Sequence, residues 1–287
     1  MQTTTTIKVS KGEERALISG LLNLGFMQES INNPYVSKRF TGFDLVVMLY
    51  TSGSLVIQGV GNPEVVTSLI SNNEDVFHSH IGSDEVGKGD YFGPLVVASA
   101  FLDNNSYQIV KRLGVTDSKK LSDLKILDIY KEIKDKVVYN TTVVTSLEYN
   151  TQLKSFKNIS YFLANIHKRT VEGLLKRDIK AEYIVIDQFS VDKRRLSNEF
   201  KDIPVSMRQF HKGESDIAVA CASVIARAVF LNEMEKMSKN YGFEFPKGAS
   251  DVITSGKKFI ERFGKDELTN VAKVSFKTTQ SIISLFT

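Results

Sequence analysis

The chain has 287 residues, of which 42% are hydrophobic, 24% charged and 10% aromatic, with a formal net charge of +4. These proportions exclude a disordered or collagen-like chain, and the length allows one large domain or two unequal ones that need no metal or disulfide staples. A single cysteine, Cys221, leaves no internal bridge and no apolar run reaches the ~18 residues of a membrane span, so the expectation is a soluble, cytoplasmic protein.

Residues 1–75 read as a unit of their own. The opening MQTTTTIKVSKGEE lacks an apolar signal core, which argues against export. Thr5–Val9 is a β-branched strand, and Gly12–Leu24 an amphipathic helix with Ala16, Leu17, Leu21 and Leu22 on one side. Val36–Phe40, Phe43–Tyr50 and Ser54–Gln58 follow as strands, the last two joined by the turn Thr51-Ser52-Gly53. Asn62-Pro63 opens a second helix, since proline suits a first helical position. The polar stretch Ser71–Asp75 is the predicted linker.

Residues 76–287 alternate strands and helices, the signature of an α/β domain. Strands are predicted to end at His80–Ser83 and to span Pro94–Leu102 and Val137–Leu147. Ser122 caps a helix that turns Leu124, Leu127 and Ile133 inward. Ile159, Phe162, Leu163, Ile166 and Leu174 repeat at helical spacing. Tyr183–Ile186 is a buried central strand ending at Asp187, and Ile217–Met237 is a helix apolar nearly all round in its first half, which belongs inside. His78 and His80 have no metal-ligand spacing around them and read as surface or packing residues.

Charge is unevenly spread. Residues 1–78 hold 5 Lys/Arg and 7 Asp/Glu, a net of −2, which leaves 32 basic and 26 acidic residues, a net of +6, for the remainder. A weak positive field suits a polyanionic partner such as nucleic acid and also fits many enzymes.

The most informative stretch runs from Gly82 to Pro94, Gly-Ser-Asp-Glu-Val-Gly-Lys-Gly-Asp-Tyr-Phe-Gly-Pro. It contains G-x-x-x-x-G-K, but Gly89 supplies no hydroxyl for Mg²⁺, and Asp84 and Glu85 would put negative charge where a P-loop cradles phosphate. Phe92-Gly93-Pro94 also leads into a strand and not a helix. The acids themselves are then the functional candidates. A strand-end carboxylate recurs at Asp187, and two carboxylates from adjacent strands repel unless a cation joins them. Oxygen ligands without cysteine or paired histidines suit Mg²⁺ or Mn²⁺. A solvated acidic pair and a turn-capping aspartate are the alternative reading of the same positions.

The Gly82–Leu95 segment resembles the first signature of the type 2 ribonucleases H, and within them ribonuclease HIII. Further matches follow in order: Asp117-Ser118-Lys119-Lys120-Leu121, then Tyr183–Phe189, then Lys212-Gly213-Glu214-Ser215 leading into Ala220–Arg227, then Phe245–Ala249. The order of segments in residues 1–75 is similar to the small TATA-box-binding-protein-like domain that distinguishes ribonuclease HIII from ribonuclease HII.

The resemblance implies an α/β fold: an RNase H-like mixed-sheet catalytic domain over 76–287 and a small α+β substrate-binding domain over 1–75. It implies an endoribonuclease that hydrolyses the RNA strand of RNA–DNA hybrids by two-metal-ion catalysis with Mg²⁺ or Mn²⁺, giving 5′-phosphate and 3′-hydroxyl ends. Asp84, Glu85 and Asp187 match the first three catalytic carboxylates and metal ligands, and Glu214 the fourth. The spacing from Glu214 to Ala222-Ser223 is one residue short, which leaves Asp216 as a competitor. Gly87-Lys88-Gly89 falls where ribonuclease HII carries Gly-Arg-Gly; lysine keeps the charge but loses the planar fork, so 2′-hydroxyl recognition would lean on backbone amides. Ser118, Lys119 and Lys247 are further substrate-binding candidates, with a solvated turn as the alternative for the lysines. Ser223 and Cys221 read as packing residues on the buried helix, and Arg227 as a partner for an acid near the site. The expected partner is nucleic acid, with no membrane and no obligate protein partner. A junction resolvase of the same fold would share the carboxylates without the 2′-hydroxyl requirement, and a noncatalytic nucleic-acid-binding module would bind without hydrolysis.

Overall fold

The structure is a computed structural model that describes residues 3–71, 77–116, 118–187, 194–210, 215–248 and 250–286. The chain divides into two units, Met1–Phe77 and His78–Thr287.

The first unit is built on alternation. Its elements are β1 (Thr3–Lys8), α1 (Lys11–Asn23), β2 (Met27–Gln28), β3 (Val36–Gly42), β4 (Leu45–Tyr50), β5 (Ser54–Gly59) and α2 (Glu64–Ser71). The strands form an antiparallel sheet in the order β1-β5-β4-β3-β2. Along β4 and β5, Leu45, Val47, Leu49, Leu55 and Ile57 point to one face and pack with Leu17 and Leu21 of α1 and Val66 of α2. Ser10 and Glu13 close a reciprocal cap on α1. Several details depart from the sequence reading: of the four residues assigned to the inner side of α1, Leu17 and Leu21 are buried while Ala16 and Leu22 are exposed. Phe43 and Asp44 both take positive φ and make the two-residue turn between β3 and β4, so that strand starts at Leu45 and not Phe43. The two-residue strand β2, too short for a periodic signal, pairs with the edge of β3. Ser71 is the last residue of α2, and the rest of the predicted linker lies outside the described residues.

The second unit contains β6 (His80–Val86), β7 (Leu95–Leu102), α3 (Asn104–Arg112), α4 (Asp123–Ile133), β8 (Val138–Val144), α5 (Ser146–Gln152), α6 (Ile159–Leu175), β9 (Tyr183–Asp187), α7 (Arg194–Glu199), β10 (Ser206–Phe210), α8 (Ile217–Tyr241), α9 (Val252–Phe263), α10 (Leu268–Val271) and α11 (Lys277–Ile283). Its sheet is mixed, in the order β10-β9-β6-β7-β8. β6 runs parallel to β9 and antiparallel to β7.

Helices cover both faces of this sheet, and β6 shows how. Ile81 packs with Ala164 and Val171 of α6, while Gly82 turns to the opposite face, against α8. A Cβ at Gly82 would lie 2.1 Å from the Ala218 carbonyl carbon and the Val219 nitrogen, so glycine lets helix and strand touch backbone to backbone. By length and composition α8 could cross a membrane, with a mean hydropathy of 1.6 over its most apolar window, but 72% of that window is buried inside the fold. Its apolar first half covers the central strands, as an apolar-all-round helix must.

Candidate active site

Strand pleating sorts the acids at the end of β6. Successive side chains alternate faces, so Ser83 and Glu85 point toward α6 while Asp84 points toward α8. The bonds agree: Ser83 Oγ and Glu85 Oε2 lie 2.8 Å and 3.2 Å from the two ring nitrogens of His167 on α6, and the Ser223 hydroxyl on α8 bonds the Asp84 carboxylate. Asp84 Oδ1 also accepts the Glu85 backbone N–H at 2.8 Å. The register between β6 and β9 pairs Gly82 with Val185 and Ser83 with Ile186. One step further, Asp84 and Asp187 stand side by side on the same face, one strand spacing of about 4.8 Å apart.

The two neighbouring acids ionise in opposite senses. Burial, then the charges of Glu85 and Asp187, push Asp84 up to about 7. Burial also presses Glu85 upward, but the His167 hydrogen bond and charge, with Lys88, outweigh it and hold Glu85 below the usual carboxylate range. The Lys88 ammonium is 3.6 Å from Glu85 Oε1.

Asp84, Glu85, Asp187, Lys88, Ser118 and Lys119 all line one cleft of about 560 Å³, with Gly87 and Gly89 at its rim. Gly87 has φ +93, and a Cβ there would meet the Pro94 carbonyl oxygen at 2.1 Å. The loop therefore turns tightly behind Lys88. It is pinned from below by a residue absent from the sequence reading, Lys273, whose fully buried ammonium donates to the carbonyls of Asp90, Gly93 and Pro94 at 2.9, 2.6 and 3.3 Å. Burial draws this lysine down to about 7.

The remaining candidates fall as follows. Ser118 is buried with its hydroxyl 2.7 Å from that of Ser223, which lines the cleft and favours the ionised form of Asp84, so Ser223 is more than the packing residue predicted. Arg227 pairs with Asp123 at 3.2 Å, and Lys247 donates to the other oxygen of the same carboxylate. Glu214 lies outside the described residues, as do Asp117, the segments 188–193 and 211–213, and Ala249.

Asp216, the competitor for the fourth acid, has other partners in this structure. It caps the N-terminus of α8, with Oδ1 accepting the Ala218 and Val219 N–H groups, and it pairs with His80 Nε2 at 2.9 Å. His80 starts β6, four residues and about 13 Å of strand from Asp84. The Asp216 carboxylate is thus engaged by His80 and the start of α8. His80 is buried, as a packing residue would be, and stacks on Tyr183 at 4.6 Å. His78 pairs with Glu182 at the surface. His167 and Ser83 were missed. The available signal was a histidine four residues after Leu163, on the inward stripe of a helix.

The donor set fits a hard divalent cation. The cleft offers carboxylate oxygens, and Asp84 is raised first by burial and then by the charges of Glu85 and Asp187, a penalty that a cation would relieve. Among the described residues no three acidic, histidine or cysteine side chains converge as a ready-made cage. Mg²⁺ and Mn²⁺ are commonly held by one or two carboxylates and completed by substrate phosphate and water. Asp84 and Asp187 would hold such an ion between them, with Glu85 beside them.

A family model for ribonuclease HII matches residues 81–279. Ribonuclease HIII of Protochlamydia amoebophila is 33% identical over 294 aligned residues, covering 97% of this chain and 96% of that one. Ribonuclease HIII of Exiguobacterium sibiricum is 31% identical, covering 98% and 97%. Among solved structures, Bst-RNase HIII in complex with Mn²⁺ superposes with a TM-score of 0.69 at 29% identity over 99% of both chains. RNase H3 of Aquifex aeolicus gives 0.59 at 26% identity, covering 95% of this chain and all of that one.

Proposed function

The chain belongs to the ribonuclease HII family, in its ribonuclease HIII branch, and is a ribonuclease H; from that premise we propose that it cleaves the RNA strand of RNA–DNA hybrids with two divalent ions. The ends left are a 5′-phosphate and a 3′-hydroxyl. The observation that carries this reading is the pair Asp84 and Asp187, one step beyond the Ser83–Ile186 pairing of two central strands and lining one cleft, with Asp84 raised by burial and then by the charges of Glu85 and Asp187.

When bound, two such ions supply an activated water and charge stabilisation for the leaving 3′ oxygen. The chain's own groups do the rest. Asp84, Asp187 and Glu85 place the carboxylate oxygens that hold the ions, and Glu214 is the fourth acid on the strength of its motif. Ser223 orients Asp84 through a hydroxyl itself fixed by Ser118. The Gly87-Lys88-Gly89 turn presents backbone amides to a 2′-hydroxyl, the group that tells RNA from DNA. Lys88 and Lys119 supply positive charge for phosphates along the cleft. Lys247, held by Asp123, extends that role. The N-terminal unit grips the duplex. Its net charge of −2 across residues 1–78 means the grip depends on particular side chains and not on bulk field. A cytoplasmic location belongs to the same proposal. It is supported by the lone Cys221, which is buried and has its thiol pushed up to about 12.

The test is hydrolysis of an end-labelled RNA–DNA hybrid with Mg²⁺, Mn²⁺ or chelator, beside an all-DNA duplex and a DNA junction. Cleavage of the hybrid alone, only with metal, is expected. Asp187→Asn should abolish it while hybrid binding persists. Cleavage of the DNA junction, or near-normal turnover by that variant, would overturn the reading.

A further inference from the structure

His167 is fully buried on α6 and spends both ring nitrogens on β6. Nδ1 is 2.8 Å from Ser83 Oγ, and Nε2 is 3.2 Å from Glu85 Oε2. The proton count around this ring is constrained. Ser83 has one hydroxyl hydrogen, and its oxygen also lies 3.0 Å from the Ala98 carbonyl and 2.9 Å from Ser99 Oγ. If Ser83 donates to Ala98, Nδ1 must carry a hydrogen and donate to Ser83. If Ser83 donates to Nδ1, the ring is neutral with its hydrogen on Nε2. In the first arrangement Nε2 carries a hydrogen when the ring is the imidazolium, and in the second it carries the one hydrogen of the neutral ring; in these two states Nε2–H points at the carboxylate.

A histidine that merely filled the core would need one buried partner. This one is tied to the strand on one side and turns its second nitrogen to an acid that reaches the cleft, with the Glu85 side chain only 10% exposed. Without the His167 donor, Glu85 would keep, among the described residues, only the Lys88 ammonium, 3.6 Å from its other oxygen, and Oε2 would be free to swing or to take up a proton. We propose that His167 is a positioning residue that fixes the Glu85 carboxylate for divalent-metal binding, anchored in turn by Ser83. The proposal rests on the ribonuclease H reading of the cleft and assigns a role within it to a helix outside the sequence signatures. Groups that orient a ligating side chain from behind typically govern 10–100-fold in metal affinity or activity.

Two substitutions separate the nitrogens. His167→Gln places an amide N–H near the Nε2 position, and His167→Asn near Nδ1. Both shrink the ring and should cost similar stability, but only the glutamine keeps the donor to Glu85. With the full chain and Mn²⁺ alone as probe, titrated by calorimetry and by loss of the free-ion spin-resonance signal, His167→Asn should bind about 10–100-fold more weakly than wild type. His167→Gln should stay within about threefold, and kcat on the hybrid should follow the same order while thermal unfolding of the two variants coincides. Equal Mn²⁺ affinity in all three proteins would overturn the role of His167 and leave the ribonuclease H reading standing. A wild type that takes up no Mn²⁺ would overturn both. Should either variant fail to fold, nitrogen NMR of the wild-type ring decides. A hydrogen on Nε2 whose resonance shifts on adding Mg²⁺ supports the proposal, and a bare Nε2 overturns it.

Discussion

Asp84 and Glu85 are consecutive residues whose side chains leave the strand in opposite directions, one toward the Ser223 hydroxyl and one toward the His167 ring. The consequence for Asp84 can be measured. Its folded value of about 7 stands above the 3.8 of an unperturbed aspartate. Between pH ~4 and ~7 the folded chain therefore holds a proton that the unfolded chain has released, and stability falls as pH rises through that window. Above pH 7 the penalty is complete. Asp84→Asn removes it, so in chelator at pH 8 the variant should be more stable than wild type by about 1–2 kcal/mol, allowing for solvent that reaches the carboxyl from the cleft. The difference should vanish near pH 4, and calorimetry at the two pH values checks both halves. These acids stood out in the sequence as candidates through the resemblance of Gly82–Leu95 to a known signature, since by position alone a solvated pair was the competing reading. Their division between two faces was not legible, because it depends on which helices cover the strand.

At the scale of elements, most strands and helices were visible as periodic runs, and the departures have local causes. Phe43 and Asp44 form a turn whose two central residues include no glycine, and β2 exists only through pairing with β3. The long-range question was which acid near the start of α8 faces the cleft, and sequence spacing left it open. The fold assigns Asp216 to the cap of α8 and to His80, whose two ring nitrogens face the His78 carbonyl and the Asp216 carboxylate. Burial works against charge on His80, but Asp216 and that carbonyl outweigh it and its pKa is raised. This contribution to stability is therefore full below pH ~6.5 and is lost as pH rises through the folded value. Asp216→Ala should cost about 1–2 kcal/mol of stability, from the lost cap and the unpaired histidine. It should leave kcat at saturating metal within about threefold. A loss of several orders of magnitude in kcat, with the fold intact, would restore Asp216 to the catalytic set.

Across the whole molecule, charge is distributed against the simplest expectation for a nucleic-acid enzyme. The first 78 residues carry a net −2 and the rest +6. Phosphate contacts made by the second unit should dominate the salt response, so the KM for hybrid should rise roughly tenfold or more between about 50 and 200 mM salt, with kcat little changed. A KM indifferent to salt would mean that the backbone is held without ion release. Neither the polar strip of Ser83, Ser99 and His167 nor the buried Lys273 stood out in the sequence. Each belongs to a pattern that looks like ordinary core until partners from remote segments are in place.

Lys273 donates to Asp90 across 183 residues of chain. At ~5–20 residues per second, the turn behind Lys88 leaves the ribosome roughly 10–40 s before the lysine that fastens it. Throughout that interval the nascent polypeptide already displays Asp84 and Glu85 but lacks the strut beneath the turn that follows them, so the cleft's floor is completed only by the late-translated segment.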